Sequence, residues 1–473
     1  MITLNVVFEA LVGRAPAWAD HVIADVGVDS RKMIPGSLFV AVPGKNLDGH
    51  DFLRDAFQRG ASFAFIEQEV PPDFRVIDLR DVDDPRTLSE AEVPFCLWVE
   101  DSIRALQQVA QYWRRKLNVR VIGITGSVGK STTKELTTTV LKQRHRTLKN
   151  PGNLNNEIGL PLTLWRLSEG HDRAVLEMGF YVPGEIQQLC EIARPSVGVL
   201  TTIGTVHAER AGTIQDIARG KGELVEALPA APDGVAVLNY DDVLVREMAD
   251  RTEARVFFYG LSPEADLWAD QVESLGLDGI KFRLHSRDET IHLRVPLLGR
   301  HSVHTVLRAS AVGLVEGLSW QEIIRGLRVG HTQLRLVAVE AESGAVLLDD
   351  TYNASPKSML ADLNLLAELE GRKVAVLGDM LELGRYERRG HEKVGIRSAE
   401  VVHTLVTVGS LARMMAEAAR RTGMEWERSY SLEDSEEAIG FLEGYLQEGD
   451  MVLVKGSRGA RMDRIVAALE VES

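Results

Sequence analysis

The chain has 473 residues, more than one hydrophobic core usually supports, so several domains are expected. With 45% hydrophobic and 26% charged residues, its composition is that of an ordinary globular protein. A net charge of −15 argues against a nucleic-acid binder, although a local phosphate pocket needs only a few basic groups. No apolar run reaches the roughly 18–20 residues of a membrane span, and no signal peptide is recognisable. We therefore expect a cytoplasmic protein without membrane insertion.

Two cysteines, Cys96 and Cys190, stand far apart in the sequence and form no CxxC motif. This pattern is typical of free thiols in a reducing compartment, where disulfides do not persist. We therefore predict that both residues are buried free thiols.

Short apolar runs alternate with turn signals over the first part of the chain, which predicts a small α/β domain at 1–98. An amphipathic pattern then predicts a helix over 102–117, followed by a buried strand over 119–125. Strand and helix patterns alternate beyond it, as in a parallel sheet flanked by helices. Period-two alternation at 265–297 predicts antiparallel strands added to that sheet. These segments together form a central domain at 99–329.

A second series of alternating strands and helices follows, and it predicts a C-terminal doubly wound, Rossmann-like domain at 330–473. The predicted fold class is therefore α/β with three domains. A small N-terminal α/β domain precedes a central mononucleotide-binding parallel sheet with added antiparallel strands, and the doubly wound domain completes the chain.

The stretch ITGSVGKSTT at 124–133 lies between the predicted strand and a helix that begins near Lys130. It departs from the Walker pattern because Ile124 stands where that pattern has its first glycine. The two glycines of the loop let backbone N–H groups turn inward, and the helix start adds partial positive charge for a polyphosphate. Lys130 can reach the outer phosphates, and Ser131 or Thr132 offers a hydroxyl to Mg²⁺. A nucleotide-phosphate site is predicted, the alternative being a plain glycine-rich turn.

Beyond the loop, the sequence offers three further candidate site residues, and the evidence for them differs in strength. Glu177 ends a predicted buried strand, at the sheet edge where ligands bind in open α/β sheets, so it is either a second Mg²⁺ anchor or a solvated acid. His207 follows the next strand along the chain, where metal or phosphate binding competes with a structural role. Lys221 lies inside a helix pattern, and its own stretch favours a solvated surface lysine.

In the third domain, LLDDTYNASP at 347–356 ends a strand just before a helix that begins with proline. It places Asp349, Asp350, Tyr352 and Asn353 together. This composition is typical of a site that binds a ribose, a base or a metal-bound phosphate, the alternative being a helix cap and turn.

Taken in this order, these motifs resemble the Mur ligases, the ATP-dependent amide-bond ligases of peptidoglycan precursor synthesis. The shortened loop of that family, TGxxGK[ST], matches residues 125–131 directly. The resemblance covers nearly the whole chain. It also rests on the stretches DSRKMIPGSLFVAVPGKNLDGHDF, NPGNLNNEIGLPLTL, LEMGFYVPGEI, DDTYNASPKSM, LGDMLELG and LVKGSRGARM. These stretches resemble the branch that adds D-alanyl-D-alanine to UDP-N-acetylmuramoyl-tripeptide, and the DNPR motif of the branch that adds the third amino acid is absent from the sequence.

The resemblance implies ATP, two Mg²⁺ ions, the UDP-linked tripeptide and D-Ala-D-Ala as ligands. The sequence leaves the oligomeric state open, and a monomer is the default expectation. The implied catalytic residues are Lys130, Glu177, His207 and Lys221. The implied ATP-binding residues are Thr125, Gly126, Ser127, Val128, Gly129, Lys130, Ser131, Thr132, Arg335, Asp350, Tyr352 and Asn353. The implied metal ligands are Ser131, Glu177, His207 and Lys221. The implied substrate-binding residues are Ser30, Arg31, Gly44, Asp48, Gly49, His50, Asn153, Asn156, Glu157, Lys455, Ser457 and Arg458.

The resemblance changes the interpretation of Lys221 more than that of any other candidate. It stands at the position of the carbamylated lysine of the family, in which CO₂ converts the amine into a carbamate that binds metal. A cationic side chain is thereby turned into an anionic ligand. The resemblance therefore opposes the surface-lysine interpretation that the helix pattern alone favours.

The sequence departs from the family pattern at three places. Ser131 replaces the more common threonine and keeps the hydroxyl. Ser302 and His304 stand where asparagines are usual near the adenine, and Gln333 and Leu334 stand where glycine is common. Two rival functions are a P-loop phosphotransferase that stops at phosphorylation and a non-catalytic binding protein with a ligase fold. The DDTYNASP stretch in a separate third domain favours the ligase.

Overall fold

The computed structural model describes residues 2–44, 47–82, 84, 88–286, 289–329 and 336–471. Three sheets follow one another along the chain, one in each predicted domain, and parallel pairing dominates each of them. The predicted three-domain α/β fold class is confirmed. Among the described residues, no helix is both long and apolar enough to cross a membrane.

The N-terminal sheet has five strands in the order β1-β2-β3-β5-β4, all paired in parallel. Its strands are β1 Val26–Gly27, β2 Ser37–Val40, β3 Ala61–Ile66, β4 Val76–Asp78 and β5 Phe95–Trp98, with helices α1 Leu4–Val12 and α2 Leu53–Gln58. Cys96 on β5 is buried and free, as Cys190 is in the central domain, which confirms both predicted thiols. Burial raises the pKa of Cys96 to about 12, so this thiol stays protonated and inert.

Helix α3, Ser102–Lys116, is the predicted amphipathic helix, and it joins the first two domains. On one side, the Tyr112 hydroxyl donates to Glu9 of α1 at 2.8 Å. On the other, the Trp113 indole N–H donates to the Leu167 carbonyl at 2.9 Å. One apolar cluster consequently runs from α1 through α3 into the central domain.

The central sheet has nine strands in the order β14-β13-β12-β11-β10-β9-β6-β8-β7. Its strands are β6 Arg120–Thr125, β7 Thr147–Lys149, β8 Arg173–Glu177, β9 Val197–Leu200, β10 Val235–Asn239, β11 Arg255–Gly260, β12 Leu267–Ser274, β13 Ile280–Ser286 and β14 Glu289–Val295. Pairing is parallel from β7 to β12 and antiparallel from β12 to β14, which confirms the predicted antiparallel addition. The helices are α4 Lys130–Leu141, α5 Gly159–Leu164, α6 Glu185–Ala193, α7 Ala208–Ala211, α8 Ile214–Glu226, α9 Val243–Arg246, α10 Val303–Val315 and α11 Trp320–Arg328.

The C-terminal sheet has six strands in the order β15-β16-β20-β17-β18-β19, and only β15 is antiparallel to its neighbour. Its strands are β15 Val337–Glu340, β16 Val346–Asp350, β17 Arg372–Gly378, β18 Thr404–Val408, β19 Ser429–Leu432 and β20 Asp450–Lys455. Its helices are α12 Pro356–Glu368, α13 Glu387–Val401, α14 Arg413–Arg421, α15 Ser435–Tyr445 and α16 Asp463–Leu469. Apolar clusters cover both sheet faces, as expected for a doubly wound unit.

Candidate active site

The glycine-rich loop lies at the carboxyl edge of the central sheet, where β6 ends and α4 begins. Two hydrogen bonds tie it to neighbouring segments. The Thr125 hydroxyl donates to the carbonyl of Met178, just after β8, at 3.0 Å. The Ser127 N–H donates to the carbonyl of Thr202, just after β9, at 2.7 Å. The loop is therefore fixed between its two neighbouring strands.

Both glycines of the loop adopt backbone angles that favour glycine. Gly126 has φ +140° and Gly129 has φ +84°. A Cβ at Gly126 would overlap the Thr201 hydroxyl, and one at Gly129 would come within 3.0 Å of the Arg308 guanidinium. The Lys130 ammonium donates back to the Gly126 carbonyl at 3.0 Å, so this side chain lies over the loop.

Glu177 ends β8 and is buried beside the loop. Its carboxylate accepts from the Ser131 hydroxyl at 2.7 Å and from the Asn155 amide at 2.9 Å. The Lys134 ammonium lies 3.9 Å from the same carboxylate. The structure thus brings together the hydroxyl and the carboxylate that the sequence proposed as magnesium ligands.

Two asparagines next to Glu177 were not predicted. Asn155 binds the carboxylate directly, and Asn150 holds the backbone of Glu177 by accepting from its N–H at 2.9 Å and donating to its carbonyl at 3.0 Å. The asparagine-rich stretch NPGNLNN was the available signal, but it does not show which of its asparagines contacts Glu177. Of the residues proposed there, Asn156 accepts from the Gly159 N–H at 2.9 Å, a local helix-start contact. Substrate contacts of Asn153, Asn156 and Glu157 stay predictions.

His207 lies on the loop after β9, and because β6 separates β8 from β9, His207 and Glu177 flank the phosphate loop. Its ring meets the edge of the Tyr181 ring with centroids 4.9 Å apart. Its Nδ1 lies 2.6 Å from Oε2 of Glu382. Burial, and then the ammonium groups of Lys130 and Lys221, lower the pKa of His207 to about 3. The imidazole is therefore neutral at pH 7, the form that can bind a metal.

Lys221 is fully buried in α8, so the surface-lysine interpretation is wrong. Its ammonium lies 4.4 Å from the centroid of the Phe180 ring, and within the described part of the chain it has no hydrogen-bond partner. Burial, and then the charge of Lys130, lower the pKa of Lys221 well below its ordinary value. The helix pattern could not reveal this burial, because the loop after β8, with Phe180, covers this part of α8 only in the fold.

A cavity of about 760 Å³ lies between the central and C-terminal domains. Phosphate-loop residues lining it are Ser127, Val128, Gly129 and Thr132. Predicted residues from the C-terminal domain lining it are Asp350, Asn353 and Lys455. The tertiary structure thus joins two motifs that are more than two hundred positions apart in the sequence, and the volume suits a drug-sized ligand or nucleotide.

The C-terminal wall contains a buried cluster of charged groups. The Lys455 ammonium pairs with Asp350 and lies 2.9 Å from the Asp362 carboxylate. Burial raises the pKa of Asp362 to about 7, against the opposing charge of Lys455. Burial acts to lower the pKa of Lys455, but the two carboxylates outweigh it and raise that pKa. The sequence did not single out Asp362, since an acid inside a helix usually faces solvent.

The two departures near the adenine position, Ser302 and His304, both line the cavity. The Ser302 hydroxyl donates to the Leu298 carbonyl at 2.6 Å, and the His304 Nε2 lies 3.0 Å from Asp241. Arg308, one helical turn further along α10, lies against the phosphate loop and was not predicted. A single arginine in a helix that is mostly apolar was the signal that could have identified it.

The N-terminal candidates form a separate group, and the described cavity lining includes none of them. The Asp48 carboxylate accepts from the Gln68 amide at 2.8 Å and lies 2.7 Å from the His50 Nδ1. The Glu67 N–H donates to the His50 Nε2 at 3.1 Å, which fixes the loop to the end of β3. The Arg31 guanidinium pairs with Asp29 at 2.9 Å and is largely exposed. Substrate binding by Ser30, Arg31, Gly44, Asp48, Gly49 and His50 stays a prediction.

The remaining candidates differ in position. Tyr352 is 42% exposed, and Arg458 is exposed as well. The Ser457 hydroxyl accepts from the Leu381 N–H at 2.9 Å and so holds the loop after β17. Arg335 lies outside the described residues, as do Gln333 and Leu334.

Three family models match successive parts of the chain. The "Mur ligase family, catalytic domain" model matches residues 22–114, the "Mur ligase middle domain" model matches 124–313, and the "Mur ligase, glutamate ligase domain" model matches 334–458. The chain belongs to the Mur ligase family of ATP-dependent, peptide-forming ligases.

Relatives of the chain carry a more specific name. The UDP-N-acetylmuramoyl-tripeptide–D-alanyl-D-alanine ligase of Bacillus subtilis is 33% identical over 458 residues, covering 96% of this chain and 94% of the relative. A crystal structure of MurF from Acinetobacter baumannii is 29% identical, with a TM-score of 0.83 and 98% coverage of both chains. MurF ligase from Thermotoga maritima in complex with ADP is 28% identical, with a TM-score of 0.78, covering 94% of this chain and 96% of that one.

Proposed function

We propose that the protein joins D-alanyl-D-alanine to the terminal carboxylate of UDP-N-acetylmuramoyl-tripeptide, using ATP, as a cytoplasmic monomer that makes a peptidoglycan precursor. The observation that carries this proposal is the cavity between the domains, which combines the phosphate loop with Asp350, Asn353 and Lys455 of the C-terminal domain. The name of the Bacillus subtilis relative, which matches 96% of the chain, supports the choice of substrates.

In this proposal the phosphate loop holds the β- and γ-phosphates through its inward N–H groups and Lys130. The tripeptide carboxylate attacks the γ-phosphorus, forming an acyl phosphate and releasing ADP. The free amine of D-Ala-D-Ala then attacks the acyl carbon, loses a proton, and expels inorganic phosphate. Activation is required because a carboxylate and an amine do not condense at neutral pH. The cavity walls would limit the access of water to the acyl phosphate.

The residues present suit the two magnesium ions that the family implies. The Ser131 hydroxyl and the Glu177 carboxylate, already 2.7 Å apart, are oxygen donors of the kind that Mg²⁺ prefers. His207, together with Lys221 after carbamylation, would hold the second ion. Bound Mg²⁺ would offset the repulsion between carboxylate and triphosphate and stabilise charge on the transferring group.

The environment of Lys221 supports carbamylation. Its nitrogen is buried without a hydrogen-bond partner in the described part of the chain, and its pKa is lowered well below the ordinary value by burial and then by Lys130. The neutral amine is the form that attacks CO₂, giving a carbamate and releasing one proton. A carbamate next to Lys130 would place an anion beside an ammonium group, where the two charges attract.

The N-terminal domain would hold the uridine diphosphate in this proposal. Ser30, Arg31 and the loop that contains Asp48 and His50 are the residues involved. The support is the ordered contact of Asp48 and His50 with the end of β3, which gives the loop a defined shape.

The proposal is tested by incubating the protein with ATP, Mg²⁺, the UDP-linked tripeptide and D-Ala-D-Ala, and counting ADP and pentapeptide by mass spectrometry. Equal amounts of both are expected. Lys130→Ala should lower the rate by several orders of magnitude, because it removes charge stabilisation from the phosphate being transferred. The melting temperature of the variant should stay near that of the wild type.

Other results would identify a rival function. ADP with a phosphorylated product and no amide would indicate a phosphotransferase. Neither product with either a diaminopimelate- or a lysine-containing tripeptide would indicate a binding protein. Near-normal amide formation by Lys130→Ala would contradict the assignment of the loop.

A further inference from the structure

The histidine at the phosphate loop has a partner from another domain. His207 lies on the loop after β9 of the central sheet, and Glu382 on the loop after β17 of the C-terminal sheet. The His207 Nδ1 lies 2.6 Å from the Glu382 Oε2, although 175 positions separate the two residues. Neither the resemblance nor the sequence patterns assigned a role to Glu382.

The backbones of the two loops are docked as well as the side chains. The Glu209 N–H donates to the Glu382 carbonyl at 3.2 Å. Gly384 lies so close to Glu209 that a Cβ there would come within 2.8 Å of the Glu209 Cα. Both His207 and Glu382 have left-handed backbone angles, φ +66° and +63° respectively, which non-glycine residues seldom adopt. These backbone constraints indicate a specific contact between the two loops and not an incidental one between surface side chains.

Glu382 contacts Nδ1 of the His207 ring, and this decides which ring nitrogen is left to bind a metal. With Nδ1–H donated to a carboxylate, the imidazole keeps its lone pair on Nε2. Histidines that bind metals commonly make this second hydrogen bond, which fixes the tautomer and the ring orientation. The edge contact of Tyr181 restricts the same ring from another side.

We propose that Glu382 is a positioning residue that orients His207 for metal binding and is delivered by the C-terminal domain. One magnesium site is then complete only when the central and C-terminal domains are in contact. This inference rests on the proposed function, because His207 is assigned there as a magnesium ligand.

The first test measures metal binding rather than turnover. Mn²⁺ is titrated into the protein with a non-hydrolysable ATP analogue and the tripeptide, and free Mn²⁺ is followed by electron paramagnetic resonance. Glu382→Ala should weaken the binding of one of the two Mn²⁺ ions by roughly 10- to 100-fold, the range found for groups that support a metal ligand. Glu382→Gln, which keeps an acceptor oxygen, should lose less. Glu443→Ala, an exposed glutamate of α15, is the matched control and should bind as the wild type does.

The second test separates positioning from simple domain contact by a double-mutant cycle. If Glu382 acts through His207, then Glu382→Ala should cause no further loss of Mn²⁺ affinity in the His207→Ala background. A contact that only stabilises the domain interface would add its full effect in both backgrounds. Additive losses, or unchanged Mn²⁺ affinity in Glu382→Ala, would overturn the inference. These outcomes leave the proposed function intact if the wild type forms the amide, whereas failure of the wild type would reject both.

Discussion

Lys221 illustrates how far the environment of one residue can depart from its local sequence. Its neighbours in α8 form an ordinary amphipathic pattern, yet the residue is fully buried beside Phe180. A buried ammonium group without a counter-ion is costly, and protein environments usually respond by lowering the pKa of the group. The lowered pKa and the proximity to Lys130 are both consistent with a site built for a modified, anionic side chain.

We predict that Lys221→Ala lowers the ligase rate by roughly 10- to 100-fold or more, because it removes a metal-supporting group. Added acetate or formate should restore part of the rate, since a short carboxylate can enter the space and replace the carbamate. The measurement is the rate of amide formation against acid concentration. Lys393→Ala, at an exposed lysine of α13, should show neither the loss nor the rescue. Full activity of Lys221→Ala without added acid would refute the carbamate.

Residue types at this site were easier to predict than contacts. Ser131, Glu177 and Lys130 follow from the chemistry that a phosphate loop and Mg²⁺ require. The contact of Asn155 with Glu177 could not be predicted, because the stretch around Asn155 offers several asparagines. Only the path of the chain decides which of them contacts Glu177.

At the scale of elements, the unit of β6, the glycine loop and α4 shows how a short stretch is fixed by its neighbours. The loop is bonded to the segments after β8 and β9, so its shape depends on three strands. Gly126 carries the tightest constraint, because its φ of +140° combines with close packing against Thr201.

We predict that Gly126→Ala weakens nucleotide binding while most of the fold is retained. The added methyl group would overlap the Thr201 hydroxyl, so the loop must shift from the position that its hydrogen bonds to the segments after β8 and β9 hold. Binding of a fluorescent ATP analogue should weaken by at least tenfold, equivalent to about 1.4 kcal/mol. Gly440→Ala is the matched control, because a Cβ there meets nothing within 4 Å and the site is a helix interior. That variant should bind normally. Normal binding by Gly126→Ala would contradict the role given to the loop.

Most elements follow from periodicity and turn signals, and the structure confirms the helix that begins at Lys130 and the antiparallel strands β12 to β14. Strand order does not follow in the same way. The residues of β6 alone do not show that β8 and β9 lie on either side of it, because strand pairing depends on the helices that connect successive strands.

At the scale of the whole molecule, two charged pairs bridge the central and C-terminal domains. The Arg300 guanidinium pairs with Glu368 at 2.9 Å, and the Lys357 ammonium lies 3.9 Å from Asp242. Domains of one chain usually move relative to one another unless the interface between them is large and hydrophobic, so motion of these two domains is expected. We predict a hinge between the two domains near residues 330–335, which lie outside the described residues.

We predict that ligands close the two domains around the cavity. Adding a non-hydrolysable ATP analogue and the tripeptide should lower the radius of gyration measured by small-angle X-ray scattering, because the ligands bridge both walls. Gly126→Ala with the same ligands provides the control and should show a smaller change. Identical scattering profiles with and without ligands would exclude a large motion.

Sequence patterns alone were enough to predict the three α/β units, the glycine-rich loop and residue types that suit phosphate and Mg²⁺. These depend on periodicity and on chemistry within a few neighbouring positions. The burial of Lys221, the hydrogen bond of Asn155 to Glu177 and the contact of Glu382 with His207 became visible only in the folded chain. Burial and side-chain partners are set by packing between segments far apart in the chain, which no local pattern encodes.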